Sequence, residues 1–419
     1  MKDKDHRSSL GNQEPDMMPN ELMDMPGFVN ELKQHTLLTG WRTNEPIAFA
    51  GALAMLSHLT GNTYQGAGDT STNLYIAALS VSGMGKDDTR KTNKRLAAEL
   101  GIIPSIQNYV ASGPGLEDAV AASPSLLLQT DEADALLAAT HGKNGKSNQL
   151  NKLLLEFFSD AETCHETRLT AKHEGKGRII SRPHLTLLAT GVPEYFYSAL
   201  STRSLTDGLL GRCLFIDADG FYPSNLKKSH PFPESVLKAA RMMVEREKNF
   251  RSTGVRDPII VAEKPETKVA LAELANHCDE ETKRLMDEKL TTAAILYARL
   301  REKSTKLALL RAISEDPFAP CLKPEDILWG TKFALHITKR MLNMAELYVA
   351  DGAFDHLKKR FIRLLIKHGG ELDHSTLLKR LGVDATTFRK VARTLEACDE
   401  IDDGTISNGK YGYLVKGGE

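Results

Sequence analysis

The stretch Asn73-Leu-Tyr-Ile-Ala-Ala-Leu-Ser-Val-Ser-Gly-Met-Gly-Lys-Asp-Asp-Thr-Arg90 constrains the fold of this chain more than any other segment. An apolar run rich in strand formers enters a glycine turn, the turn ends at Lys86, and a helix-like stretch continues to Leu100. Strand, glycine turn, lysine and helix in that order are the layout of a phosphate-binding loop. Backbone N–H groups at a glycine turn and at a helix N-terminus attract anions. Ser82, Gly83, Met84, Gly85, Lys86, Asp87 and Asp88 are the residues that would surround a phosphate chain, with Lys86 reaching its terminal groups. Two positions depart from the pattern G-x-x-x-x-G-K-[ST]. Ser80 stands where a glycine is expected, and Asp87 where a hydroxyl would ligate Mg²⁺. A carboxylate also ligates Mg²⁺, directly or through water, but it brings negative charge near the phosphates. The plainer alternative is a strand–turn–helix junction with a solvated lysine.

A second apolar run, Leu126-Leu-Leu-Gln-Thr-Asp-Glu132, follows some forty-five residues after Lys86 and ends in two acids. By itself that is a common strand end meeting solvent. After a phosphate loop it is the expected partner. Asp131 would hold Mg²⁺ through water, and Glu132 would orient the water that attacks a γ-phosphate. ATP and Mg²⁺ are therefore the expected cofactors, with Asp87 and Asp131 the expected metal contacts. Thr190 closes the apolar run Leu185–Thr190 and is placed to hydrogen-bond the γ-phosphate or the attacking water; otherwise it is a plain strand-end threonine. Arg212 precedes the strand that starts at Cys213 and is a candidate to stabilise charge in a neighbouring subunit's site, with Arg203 as a second candidate. A lone arginine is more often a surface ion-pair partner.

The 419 residues exceed one simple core and suggest two or three domains. With 41% hydrophobic and 26% charged residues the composition is that of a soluble globular protein. A net charge of −1 means that any DNA contact must come from a local patch. The five cysteines are scattered, so neither a metal knuckle nor a redox pair is suggested and a reduced, cytoplasmic protein is expected. The N-terminus lacks a signal-peptide pattern, and no apolar run is long enough for a bilayer. Residues 1–25 read as a mobile tail, 26–72 as an N-terminal helical segment, 73–220 as alternating strands and helices with a parallel sheet, and 233–350 as almost wholly helical after a Pro/Ser/Lys-rich linker.

Between the acidic strand and the Leu185 strand, Arg168 to Ile180 alternates about Glu174-Gly175-Lys176-Gly177 and reads as a β-hairpin. Its tip carries Lys172, His173, Lys176 and Arg178. In a ring such a hairpin would point into the channel and touch DNA phosphates; the alternative is a solvated surface hairpin. In 354–419, a basic helix to Lys367 is followed by a helix capped at Asp373, a longer one capped at Asp384, and two strands, Ile401 to Ile406 and Tyr411 to Val415. Three helices and a hairpin describe a winged helix. Arg389, Lys390 and Arg393 on the longer helix and Lys410 in the wing would meet DNA. Winged helices also dock proteins, and Asp399, Glu400, Asp402 and Asp403 weaken the DNA case.

With these pieces in place, the chain resembles a family of phage and mobile-element replication ATPases of helicase-like type. The matching segments are Asn73–Arg90, Leu126–Asp134, Arg182–Gly191 and Gly208–Arg212, and the stretch from Tyr297 to Ile313 is similar to that family's lid. Gly-Lys followed by an acid occurs in some members, so the resemblance implies that Asp87 need not spoil the site. It also implies a hexameric AAA+ ring in a bacterial host cell, moving on single-stranded DNA, with any primase a separate chain. The expectation is then a ring-forming replicative DNA helicase driven by ATP, with an α/β P-loop core, a helical lid and a winged helix. Two rivals stand beside it: a replication initiator or helicase loader, and an assembly protein that binds ATP without turnover.

Overall fold

Strands that are apolar on both faces need cover on both faces, and the central strands here are of that kind. Tyr75–Ser80 (β1), Ile106–Gln107 (β2), Ser125–Thr130 (β3), His184–Gly191 (β4) and Cys213–Ala218 (β5) form one all-parallel sheet in the order β2-β3-β4-β1-β5. Every residue of β1, β4 and β5 is buried. This is the mixed α/β class that the alternation of strands and helices predicts. The computed structural model describes residues 18–61, 63–110, 112–141, 145–169, 177–226, 228–252, 258–350 and 352–416. The expected N-terminal tail lies largely outside them.

The strand order matters for the site. Strand β1, which leads into the glycine turn, and the acidic strand β3 are not neighbours, because β4 lies between them. The register sets Ala78 of β1 beside Thr190 of β4, and Thr130 of β3 beside Ala189. The C-terminal ends of three strands thus form one row. Two strand spacings leave a gap of roughly 10 Å between the ends of β1 and β3, which is room for a phosphate group.

Helices Phe28–Thr39 (α1) and Glu45–Thr60 (α2) precede the sheet, and Lys86–Glu99 (α3) follows β1. Every residue of α2 after Glu45 is buried. A helix that is apolar all round belongs in an interior, and α2 packs against β1, β3, β4 and β5. Asn44 caps it by accepting from the Ile47 N–H at 3.2 Å, with Pro46 in the first turn.

The chain divides into two compact units, one of 18–199 with 203–339, the other comprising 200–202 with the residues from 340. The N-terminal segment and the helices expected as a lid thus share one unit with the sheet. Two features join them. Tyr64–Gln65 pairs in parallel with Ile259–Ile260. The fully buried Lys306, on the helix Leu300–Glu315, donates to the Ser71 carbonyl at 3.2 Å and to Asn73 Oδ1 at 2.6 Å. The other helices of this stretch are Glu234–Ser252, Pro265–Asp287, Thr291–Tyr297 and Pro324–Tyr348, and the unit boundary falls within the last.

The second unit has helices Ala353–Lys367, His374–Leu381 and Ala385–Ala397, and an antiparallel sheet in the order Glu371–Asp373, Tyr411–Val415, Ile401–Thr405. Phe361, Leu365, Leu377, Leu381, Phe388, Val391 and Leu395 fill its core. Asp373 caps one helix by accepting from Thr376 N at 3.1 Å, and Asp384 caps the next by accepting from Thr387 N at 3.0 Å. No helix among the described residues is long and apolar enough to cross a membrane.

Candidate phosphate site at the ends of the central strands

β1 leaves the sheet at Ser80, and the turn is made by two left-handed glycines, Gly83 at φ 77° and Gly85 at φ 88°. L side chains avoid that region. At Gly85 space adds a second reason, since a Cβ would lie 2.9 Å from the Arg42 Cβ. No side chain caps the N-terminus of α3, so its first turn presents the positive end of the helix dipole to whatever enters. Ser80, where the pattern expects glycine, has another use. Its hydroxyl donates to the Ala218 carbonyl at 3.2 Å and accepts from Asn44 Nδ2 at 3.1 Å. It ties the loop to the sheet from behind.

Lys86 is half-buried and donates to the Ser80 carbonyl at 3.1 Å. Burial pushes its pKa down, and Asp131 acts against that shift. Asp87 is exposed and takes hydrogen bonds from Arg90 and, at 3.6 Å, an ion pair from Lys91. Burial pushes its carboxyl up, but Arg90 and Lys91 outweigh burial and hold it below the usual carboxylate range. Asp88, expected beside the phosphates, turns the other way. Its carboxylate accepts from Trp41 N at 2.8 Å and Arg42 N at 3.3 Å, and it is 7% exposed.

On the facing strand, Asp131 Oδ1 accepts from the Thr190 hydroxyl at 3.0 Å and from Glu132 N at 3.1 Å. Thr190 is fully buried. It therefore orients Asp131 rather than standing open to a ligand. Glu132 is exposed and holds a left-handed φ of 59°, while its carbonyl accepts from Ala135 N at 2.9 Å to start the next helix. The structure thus brings Lys86, Asp87, Asp131, Thr190 and Glu132 to one place.

Sequence reasoning missed three residues there. Arg90, four residues after Lys86 on the same face of α3, donates to Asp87 and, at 3.0 Å, to Asp131 Oδ2. Its spacing from Lys86 was the available signal. Arg42 Nε donates to the Gly83 carbonyl at 3.2 Å and Asn44 Nδ2 to the Met84 carbonyl at 2.7 Å. In the sequence Asn44 stands only as the residue before the Glu45-Pro46 pair.

A Mg²⁺ ion carried on phosphates needs only one or two protein carboxylates, so Asp87 and Asp131 fit it in type and number. Both, as arranged, are engaged by Arg90. Among the described residues, no group of three or more His, Cys, Asp or Glu could hold a metal by itself.

The remaining candidates lie elsewhere. Arg212 donates to the Gly208 carbonyl at 2.9 Å and lies over the Phe158 ring at 5.7 Å. Burial and the nearby Arg299 lower its pKa. It is folded onto its own unit, so reaching a neighbour's nucleotide would require it to leave Phe158. Arg203 is exposed. In the stretch similar to a lid, Lys303 is buried and donates to Thr338 Oγ1 at 3.1 Å, while Arg299 pairs with Glu302 at 3.0 Å. Cys164–Glu166 and Ile179–Ser181 pair in antiparallel fashion, so the first paired strand precedes Arg168, where the expected hairpin begins. Its tip, with Lys172, His173 and Lys176, lies outside the described residues. Arg178 pairs with Asp118 at 3.3 Å, so its charge is already matched.

In the second unit Arg389, Lys390, Arg393 and Lys410 are all exposed. Lys390 also lies 5.2 Å from the Phe354 ring centroid. The acids near them are engaged internally: Lys416 pairs with Asp399 at 2.5 Å and Asp402 at 3.0 Å, and Tyr411 donates to Asp403.

No family model matches this chain, and no curated protein matches its sequence.

Proposed function

We propose that the chain is a DNA-dependent ATPase, a ring-forming helicase in which the β1–α3 loop binds the phosphates of ATP. The observation that carries this reading is the meeting of Lys86 with Asp131, Thr190 and Glu132 at the ends of β1, β3 and β4. Backbone N–H groups from Gly83 to Asp87 would cradle the phosphates. Lys86 would exchange the Ser80 carbonyl for the β- and γ-phosphates. Glu132, exposed at the strand end, would take a proton from the attacking water, as phosphoryl transfer requires an oriented nucleophile. Thr190 would keep Asp131 in place. A bound Mg²⁺, held by Asp87 and Asp131, would supply charge neutralisation.

The DNA half of the proposal is supported by the antiparallel strands of the basic hairpin and by the second unit, which we read as a winged helix. The exposed Arg389, Lys390 and Arg393 share the helix that would enter a groove or follow phosphates. They also favour a second reading, an initiator that binds duplex without unwinding it.

The deciding experiment is the ATPase rate of the wild type and of Lys86→Ala, with and without single-stranded DNA. The proposal expects turnover that rises with DNA and falls at least ~100-fold in the variant. Turnover indifferent to DNA removes the motor and leaves an ATPase. No turnover in the wild type removes the enzyme.

A further inference from the structure

Arg90 places one guanidinium across Asp87 and Asp131, the two carboxylates that a nucleotide-borne metal would need. We propose that Arg90 is a resident counter-ion that competes with a divalent cation for this pair, so that the metal gains the carboxylates only when polyphosphate draws Arg90 away. The inference rests on the nucleotide reading above and adds to it the control of the same site.

Two carboxylates close enough to share one guanidinium repel each other unless a cation lies between them. Arginine suits that place because Nη2, which carries two protons, donates to both carboxylates, and the guanidinium does not lose its proton at any ordinary pH. A hydrated Mg²⁺ gives up water reluctantly, so alone it is a poor competitor for carboxylates already paired. Polyphosphate changes the balance, since Lys86 and Arg90 lie one turn apart on the same face of α3 and both are drawn to it.

Two details support a side chain that moves. The Arg90 carbonyl accepts from Gln129 Nε2 at 3.1 Å, so the backbone is fastened to β3 while the side chain can turn. The Arg90 Nε is buried and has no hydrogen-bond partner. A buried donor left unpaired is costly, and an arrangement on phosphate would satisfy it. The competing account is a fixed ion pair that only ties α3 to β3.

The test uses the full chain and Mn²⁺ as a spectroscopically visible cation. Its affinity is measured without nucleotide for the wild type, Arg90→Ala and Arg90→Gln, the last keeping bulk and hydrogen bonding if alanine fails to fold. The proposal expects both variants to bind Mn²⁺ at least tenfold more tightly than the wild type, and Asp131→Asn added to either to erase the gain. It also expects ATP to tighten Mn²⁺ binding more in the wild type than in the variants, because part of that coupling is the release of Arg90. Equal Mn²⁺ affinity in the wild type and both variants overturns the proposal. If no protein binds ATP, the nucleotide reading and the coupling fall together, and the Mn²⁺ comparison still decides whether Arg90 withholds the carboxylates.

Discussion

Glu132 is one of few non-glycine residues held at positive φ, at 59°. An L residue there loses about 1 kcal/mol relative to an ordinary backbone. The conformation starts the helix Ala133–His141 directly off β3 and leaves the carboxylate exposed beside Asp131. Two substitutions separate strain from chemistry. Glu132→Gln keeps shape and should bind ATP normally while turnover falls at least ~100-fold, as loss of a proton acceptor implies. Glu132→Gly relieves the φ, so its denaturant midpoint should stay at or above that of the wild type, within about 1 kcal/mol, with turnover equally lost. Wild-type turnover in Glu132→Gln would remove Glu132 from the chemistry.

At the scale of elements, the loop depends on what lies behind it. Asn44 caps α2, donates to Ser80 Oγ and holds the Met84 carbonyl. Asn44→Ala should therefore cost about 1–2 kcal/mol from the lost cap and weaken ATP binding as well, read by denaturation and by equilibrium titration. Destabilisation with unchanged ATP affinity would show that the brace does not shape the loop. The same residue shows what a sequence reveals. The β1 run, the glycine turn and the α3 start are local chemistry and can be read directly, as can the caps Asp373 and Asp384, which bind N–H groups three residues on. The contact of Asn44 with a loop forty residues later is not local and leaves no pattern. Nor does the anchoring of Ser71 and Asn73 by Lys306, which merges the expected lid with the core. Glu371–Asp373 was missed because three residues after Gly369-Gly370 are too few to show alternation. Arg90 was overlooked because an arginine one turn into a helix is ordinary until Asp131 is brought to it.

At the scale of the molecule, a polar seam runs beneath the central sheet. Ser57 bonds Thr186 at 2.9 Å, and Thr72 bonds His184 Nε2 at 3.0 Å. Burial lowers the pKa of His58 to about 4 and drives that of His184 well below its ordinary value. His35 is lowered to about 4, also chiefly by burial. These imidazoles are neutral in the fold and titrate near 6.5 in the unfolded chain. Below that pH the unfolded chain binds more protons, so stability falls with falling pH, and the loss is complete only below the folded values. For His58 alone the full loss is on the order of 3 kcal/mol. His165 opposes the trend. Its pKa is raised, first by its hydrogen bond to Asp160, so its contribution is present at low pH and fades as pH rises through the raised value. Among the histidines, three lowered groups against one raised group predict a denaturant midpoint that declines steadily from pH 6.5 toward 4. His58→Gln, which removes one titrating group and keeps a hydrogen-bond partner for Ser105, should make that decline shallower. A midpoint constant across the acid range, or an unchanged slope in the variant, would mean that the buried imidazoles find protons without opening the sheet.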